Sequence, residues 1–128
     1  MSNTTLVVDD EPVIRHLIMA VLRRDGFEAI EAESGVQALE LLRKLCGAVA
    51  FLVSDIKMPI MDGIALACAV RAEFPAIPII LVSGYADVVR AKHPELNFEF
   101  VQKPFLPATL LGVVKKVMMP KKRTASAD

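Results

Sequence analysis

The chain lacks several things, and each lack removes a class of explanation. Two cysteines in 128 residues, Cys46 and Cys68, are too few and too far apart for a disulfide framework or a CxxC metal or redox pair. Both fall inside helical patterns, so buried thiols in a reducing compartment are expected. There is no excess of either charge: 15 Lys+Arg balance 15 Asp+Glu, which argues against a nucleic-acid binder, whose footprint is a strongly basic face. Lys115, Lys116, Lys121, Lys122 and Arg123 do crowd the end of the chain, where a solvated tail is the simpler reading. Long apolar runs are also missing. The longest falls far short of the ~20 residues a membrane span needs, and no signal region precedes a cleavage site, so no membrane insertion and a cytoplasmic location are expected. What remains is 54% hydrophobic and 23% charged, enough for one domain that buries about two-thirds of its unfolded surface without disulfide or structural metal. The expected division is a domain over 1–119 and a polar basic tail over 120–128.

Where the sequence is apolar, it is so in short runs. Residues 5–8, 50–53 and 77–82 are rich in β-branched residues and flanked by polar or turn residues, the pattern of strands buried on both faces of a parallel sheet. Residues 27–31 and 97–102 alternate more and read as outer strands. Between them run helical periods. Ile14, Leu17, Ile18, Val21 and Leu22 form one apolar face, with Arg15, Arg23 and Arg24 off it, and Gly26 stops the helix. A second helix is expected from about Ser34 to Cys46, its face carried by Ala38, Leu39 and Leu42 and widened by Leu41 and Leu45. A third carries Leu66, Ala67, Val70 and Phe74 and ends before Pro75; a fifth starts near Pro107 and carries Leu110, Leu111, Val114, Val117 and Met118 before Pro120. The fourth, between Tyr85 and His93, is short and cut by Pro94. Strict alternation of strand and helix gives right-handed βαβ crossovers, so the fold class is α/β, a doubly wound parallel sheet with helices on both faces.

The functional crevice of such a sheet lies beyond the carboxyl ends of its strands. Asp9, Asp10 and Glu11 follow the first strand, Asp55 the third, Ser83 and Gly84 the fourth, and Lys103 and Pro104 the fifth. Each has a bland account. Asp10 can be the N-cap of the first helix with Glu11 and Pro12 in its first turn, Asp55 a loop carboxylate, Ser83 a turn residue, and Lys103 a solvated side chain. Those accounts leave the joint placement on one edge unexplained. His16 and His93 read as an exposed helix residue and a pre-proline loop residue rather than ligands.

Four motifs at those ends, Val7-Val8-Asp9-Asp10-Glu11, Ser54-Asp55-Ile56-Lys57-Met58-Pro59 with Asp62-Gly63, Val82-Ser83-Gly84 and Gln102-Lys103-Pro104-Phe105, resemble the receiver domains of two-component response regulators over about residues 4–118. The resemblance implies a five-stranded flavodoxin-like sheet of order 2-1-3-4-5. It implies that Asp55 is the phosphoacceptor, that Asp9 and Asp10 help bind Mg²⁺ with Asp55 and the backbone carbonyl of Lys57, and that Ser83 and Lys103 contact the phosphoryl group. Phe100 is implied as the aromatic switch residue, while Lys57 and Tyr85 take positions that modulate phosphoryl lifetime. The implied partners are a sensor histidine kinase or a histidine phosphotransfer protein, an unidentified downstream protein, and a phosphorylation-dependent homodimer. Ser83 stands where threonine is commoner; it keeps the hydroxyl and loses a methyl that restrains the rotamer.

The chemistry agrees on its own terms. A carboxylate attacking a phosphoryl donor meets a barrier that is mostly electrostatic, and a divalent cation with an ammonium is the direct remedy. Crowded carboxylates are also expected to raise at least one carboxyl pKa. A haloacid-dehalogenase-type phosphatase would carry a second aspartate two residues after the nucleophile, where this chain has Lys57. A flavodoxin-like mononucleotide binder would not put three acids after its first strand. A docking scaffold without phosphorylation gains nothing from the clustered polar residues. A phosphoacceptor switch, rather than an enzyme, is the expected function.

Overall fold

The computed structural model describes residues 3–119, so the tail expected over 120–128 lies outside the described residues. Five strands and five helices alternate: β1 (Thr4–Val8), α1 (Pro12–Arg24), β2 (Glu28–Ala32), α2 (Gly35–Lys44), β3 (Phe51–Asp55), α3 (Gly63–Glu73), β4 (Ile79–Ser83), α4 (Ala86–Lys92), β5 (Glu99–Gln102) and α5 (Pro107–Met118). All pairings are parallel, in the order β2-β1-β3-β4-β5. That is the expected topology, and the reversal of strand order beside β1 opens the crevice at the carboxyl edge.

The central runs are apolar on both sides because two cores meet them. Leu6, Val8, Leu52, Ile79, Leu81 and Phe100 pack on one face with residues of α2 and α3. Val7, Phe51, Val53, Ile80, Val82 and Val101 pack on the other with residues of α1 and α5. Successive strand residues thus alternate between two interiors, as the pleat requires. Phe27 and Phe51 meet edge to face at 5.2 Å between ring centres.

Local chemistry sets the helix boundaries. Ser34 caps α2 by accepting from the Gln37 N–H, and Asp62 caps α3 by accepting from the Ala65 N–H at 2.8 Å. Gly26, at φ 96°, turns the chain after α1. The second helix ends at Lys44 rather than Cys46, which takes φ 53° in the turn beyond it. Cys46 and Cys68 are both exposed, not buried: the first lies in that turn, and the second occupies the side of α3 opposite Leu66, Ala67 and Val70. On α1 the expected face shifts. Arg15 is buried at 6% exposure with Ile18, Met19, Val21 and Leu22, while Leu17 is half exposed. Leu45 and Met118, expected on core faces, are also exposed.

Candidate functional site

Four of the five strands, β1, β3, β4 and β5, deliver functional side chains to the carboxyl edge. β1 leads directly into Asp9, which is fully buried, and into exposed Asp10. β3 extends two residues past its apolar run because Ser54 and Asp55 still pair with Leu81 and Val82 of β4. Asp55 is therefore a strand residue, 5% exposed. Gly63 allows this arrangement: a Cβ there would overlap the Asp55 carbonyl oxygen, and its N–H donates to the Ile56 carbonyl at 2.7 Å. The Asp62-Gly63 pair thus caps α3 and lets it abut the backbone at the end of β3.

Asp9, Asp10 and Asp55 offer carboxylate oxygens that all lie within 4.8 Å of one another. Opposite them, Lys103 Nζ sits 2.8 Å from Asp55 Oδ1. The Asp9 Oδ1 accepts from the Glu11 N–H at 2.9 Å, whereas Asp9 Oδ2 is a buried oxygen with no hydrogen-bond partner among the described residues. Burial pushes the Asp9 carboxyl up from 3.8 to about 6, and repulsion from Asp55 and Asp10 adds to this against the Glu11 N–H and Lys103. Repulsion does raise it, but desolvation is the larger cause. Glu11, not Asp10, occupies the cap position of α1, and no side chain caps that helix; Asp9 takes the Glu11 N–H instead.

An orphaned buried carboxylate oxygen beside two other carboxylates is a donor set that wants a hard cation. These residues fit a metal: oxygen ligands only, negative charge in excess, and one oxygen already stripped of protein partners. Beside them a cleft of about 520 Å³ is lined by Asp10, Glu11, Lys57, Met58 and Pro59. Lys57, in that lining, is exposed, and Tyr85 is exposed in the turn after β4.

Ser83 is buried at the end of β4, where its Oγ accepts from the Tyr85 N–H at 2.9 Å and its carbonyl accepts from the Lys103 N–H at 2.8 Å. Phe100 is 7% exposed, in the same core as Leu81, with the Arg90 guanidinium 5.1 Å from its ring centre. The edge thus gathers Asp9, Asp10, Asp55 and Lys103 by contact, with Ser83 tied to the Lys103 backbone. Phe100 belongs to the apolar core packed under α2 and α3.

Two residues at the edge have side-chain roles that the sequence did not assign. Arg15 Nη1 donates to the Asp9 carbonyl at 2.9 Å and its Nε to Glu31 Oε1 at 2.6 Å, holding the Glu31 carboxyl below its usual range. Gln102 bonds the turn after Ser83. Apart from the adjacent Lys103 carbonyl, their partners lie 6 to 18 residues away, beyond any local pattern.

A doubly wound sheet with a lysine-paired aspartate among acids at its carboxyl edge defines a class of phosphoacceptor domains. The sequence matches the response regulator receiver domain over residues 5–115, and the chain belongs to that family. It is similar to the sensor kinase CckA of Brucella abortus, 40% identical over 119 aligned positions that cover 91% of this chain and 13% of that protein. A chemotaxis protein CheY homolog of Campylobacter jejuni is 39% identical, with 88% of this chain and 90% of that protein covered. Among solved structures, the response regulator TrrA of Thermotoga maritima in complex with Mg²⁺-BeF is 33% identical with a TM-score of 0.79, covering 91% of this chain and 99% of that one. The receiver domain of the hybrid histidine kinase CckA is 31% identical with a TM-score of 0.77 at the same coverage. The chain is a phosphoacceptor domain of two-component signalling, a family whose aspartates are phosphorylated by histidine kinases, and not an enzyme in the usual sense. Among the described residues no helix is long and apolar enough to cross a membrane.

Proposed function

We propose that Asp55 accepts a phosphoryl group from a sensor histidine kinase or a histidine phosphotransfer protein in the cytoplasm. The contact of Lys103 Nζ with Asp55 Oδ1 at 2.8 Å carries this reading. An ammonium on one oxygen of a 5% exposed carboxylate is of little use to a scaffold, but it is well placed to balance an incoming phosphoryl charge. In the transfer, an Asp55 oxygen bonds to phosphorus, the bond to the donor imidazole nitrogen breaks, and the nitrogen keeps the electron pair. Asp9, Asp10, Asp55 and the Lys57 carbonyl would hold Mg²⁺, which when bound neutralises charge between the carboxylates and the phosphoryl oxygens. Lys103 supplies a point charge to the same oxygens. The Ser83 hydroxyl, now an acceptor for the Tyr85 N–H, would donate to one of them.

A donor has to bring its phosphoryl group to a buried aspartate, so it meets the rim first. Beside Lys103 that rim is apolar: a cleft of about 340 Å³ is lined by Ile14, Leu17, Lys103, Pro104 and Phe105, and Val13 and Leu106 are exposed. This favours a protein donor over a small molecule alone. The output reading rests on Phe100: its ring is buried, and with no hydroxyl to leave unsatisfied it suits an inward position with or without a phosphoryl group. A downstream protein or a second copy of the chain would read the change. Intact-mass measurement with Mg²⁺ and a small acyl-phosphate donor tests the reading. One phosphoryl mass is expected in the wild type and none in Asp55→Asn; full labelling of Asp55→Asn would refute it.

A further inference from the structure

One side chain ties together everything that Ser83 must move. The Gln102 Nε2 donates to the Gly84 carbonyl and, at 2.8 Å, to the Lys103 carbonyl, while its Oε1 accepts from the Ala86 N–H at 3.0 Å. Two carbonyls face the nitrogen and one N–H faces the oxygen, so the partners fix the orientation of the amide; a flipped amide would set donor against donor. Ala86 is the first residue of α4, a helix of seven residues whose cap position, Tyr85, makes no side-chain cap bond. Gln102 therefore supplies from β5 the cap that α4 lacks. A helix this short is marginal by itself, which gives that bond unusual weight.

The same turn holds the Ser83 hydroxyl. The Ser83 backbone is anchored by the Lys103 N–H, and its Oγ takes the Tyr85 N–H at 2.9 Å. For Oγ to move toward a phosphoryl group on Asp55 while it still accepts from that N–H, the peptide units on either side of Tyr85 must move with it. Gln102 pins both of them, through the Gly84 carbonyl on one side and the Ala86 N–H on the other. Movement of the turn about Ser83 therefore strains those two bonds.

We propose that Gln102 is a positioning residue for the phosphoryl site: it clamps residues 83–86 in their resting arrangement and sets how readily the Ser83 hydroxyl turns toward the phosphoryl group. The inference rests on the role proposed above for Ser83. Two hydrogen bonds of ordinary net strength correspond to about a tenfold bias toward the resting turn.

The test uses the whole chain and beryllofluoride with Mg²⁺ as the phosphoryl mimic. Gln102→Met keeps length and loses every bond, so it is expected to bind beryllofluoride about tenfold more tightly than the wild type. Its resting amide shifts over residues 84–88 are expected to move toward those of the beryllofluoride-bound wild type. Gln102→Glu keeps the acceptor for Ala86 and loses both donors; it is expected to show a smaller gain and carries the test if the methionine variant does not fold. In a Ser83→Ala background, Gln102→Met is expected to add nothing. A purely structural role predicts lower thermal stability with no gain in affinity, and unchanged or weaker affinity in the folded variants overturns the proposal. A gain that persists in Ser83→Ala overturns the route through Ser83. Failure of the wild type itself to bind beryllofluoride would instead bring down the phosphoacceptor reading.

Discussion

Along β3, Phe51, Leu52 and Val53 are fully buried among apolar neighbours; two residues further on, Asp55 is almost as deep and has carboxylates for company. The same contrast runs along β1, from Leu6, Val7 and Val8 to the buried Asp9 with its unpartnered oxygen. In the middle of the sheet, burial and sequence agree, and each side chain adds to stability. At the carboxyl edge, burial is imposed on charge and costs stability. A fold that keeps such an edge holds it ready for a cation and a phosphoryl group, and the rest of the sheet offsets the cost.

The largest expected effect breaks the middle. Leu52→Ala removes a fully buried side chain that touches the α2 and α3 core, and urea denaturation is expected to show a loss of about 3 kcal/mol, within the usual range of 2–5. An effect of opposite sign is expected at the edge. Asp9→Asn removes a carboxyl pushed up from 3.8 to about 6, so the metal-free protein is expected to gain up to about 3 kcal/mol at pH 7. The sign follows from proton linkage. The folded state holds the Asp9 proton more tightly than the unfolded chain, so this penalty is complete above about pH 6, shrinks as pH falls toward about 4, and is absent below that. Glu31, held below its ordinary value of 4.5 by the Arg15 hydrogen bond, acts the other way: its contribution to stability is present above that value and is lost as pH falls below it. Between pH 4.5 and 7, measured with a chelator, the wild type is expected to become more stable on acidification and Asp9→Asn to show a flatter profile; the same slope in both would count against the strained edge.

This contrast also explains what was legible in the sequence. The interior strands announce themselves because apolar β-branched runs have few other uses, whereas their order came with the resemblance, which rests on the polar residues that interrupt them. Strand ends were misjudged for the same reason. The apolar run stops at Val53, yet backbone pairing with β4 carries the strand to Asp55, so polarity here marks function and not the end of the element. Arg15 was misjudged because periodicity treats a charge as a surface residue, whereas a carbonyl of Asp9 and the Glu31 carboxylate make its burial affordable. The clamp made by Gln102 depends on a turn 16 to 18 residues upstream and has no local signature at all.

Smaller changes sharpen the comparison just outside the buried site. Ile60, in the loop after Asp55, is fully exposed at φ 69°, a conformation that suits glycine and strains a β-branched residue. Ile60→Gly is expected to gain about 0.5–1 kcal/mol in chemical denaturation, since relief of strain exceeds the added entropy of the unfolded chain. The smallest effect concerns the thiols. Cys46 and Cys68 are both exposed, so both are expected to react with iodoacetamide in the folded protein, and replacing Cys68 with serine is expected to leave the denaturation midpoint unchanged. Slow labelling of either thiol would contradict its placement.

A cation is expected to relieve the costly acidic edge. Unfolding free energy of the wild type and of Asp10→Ala, each measured with a chelator and with saturating Mg²⁺, tests this most directly. Asp10 is exposed and makes no contribution to either core, so the variant is expected to fold and, without Mg²⁺, to be at least as stable as the wild type. Mg²⁺ is expected to stabilise the wild type clearly and Asp10→Ala far less. Equal stabilisation of the two proteins, or none of the wild type, would contradict the central claim.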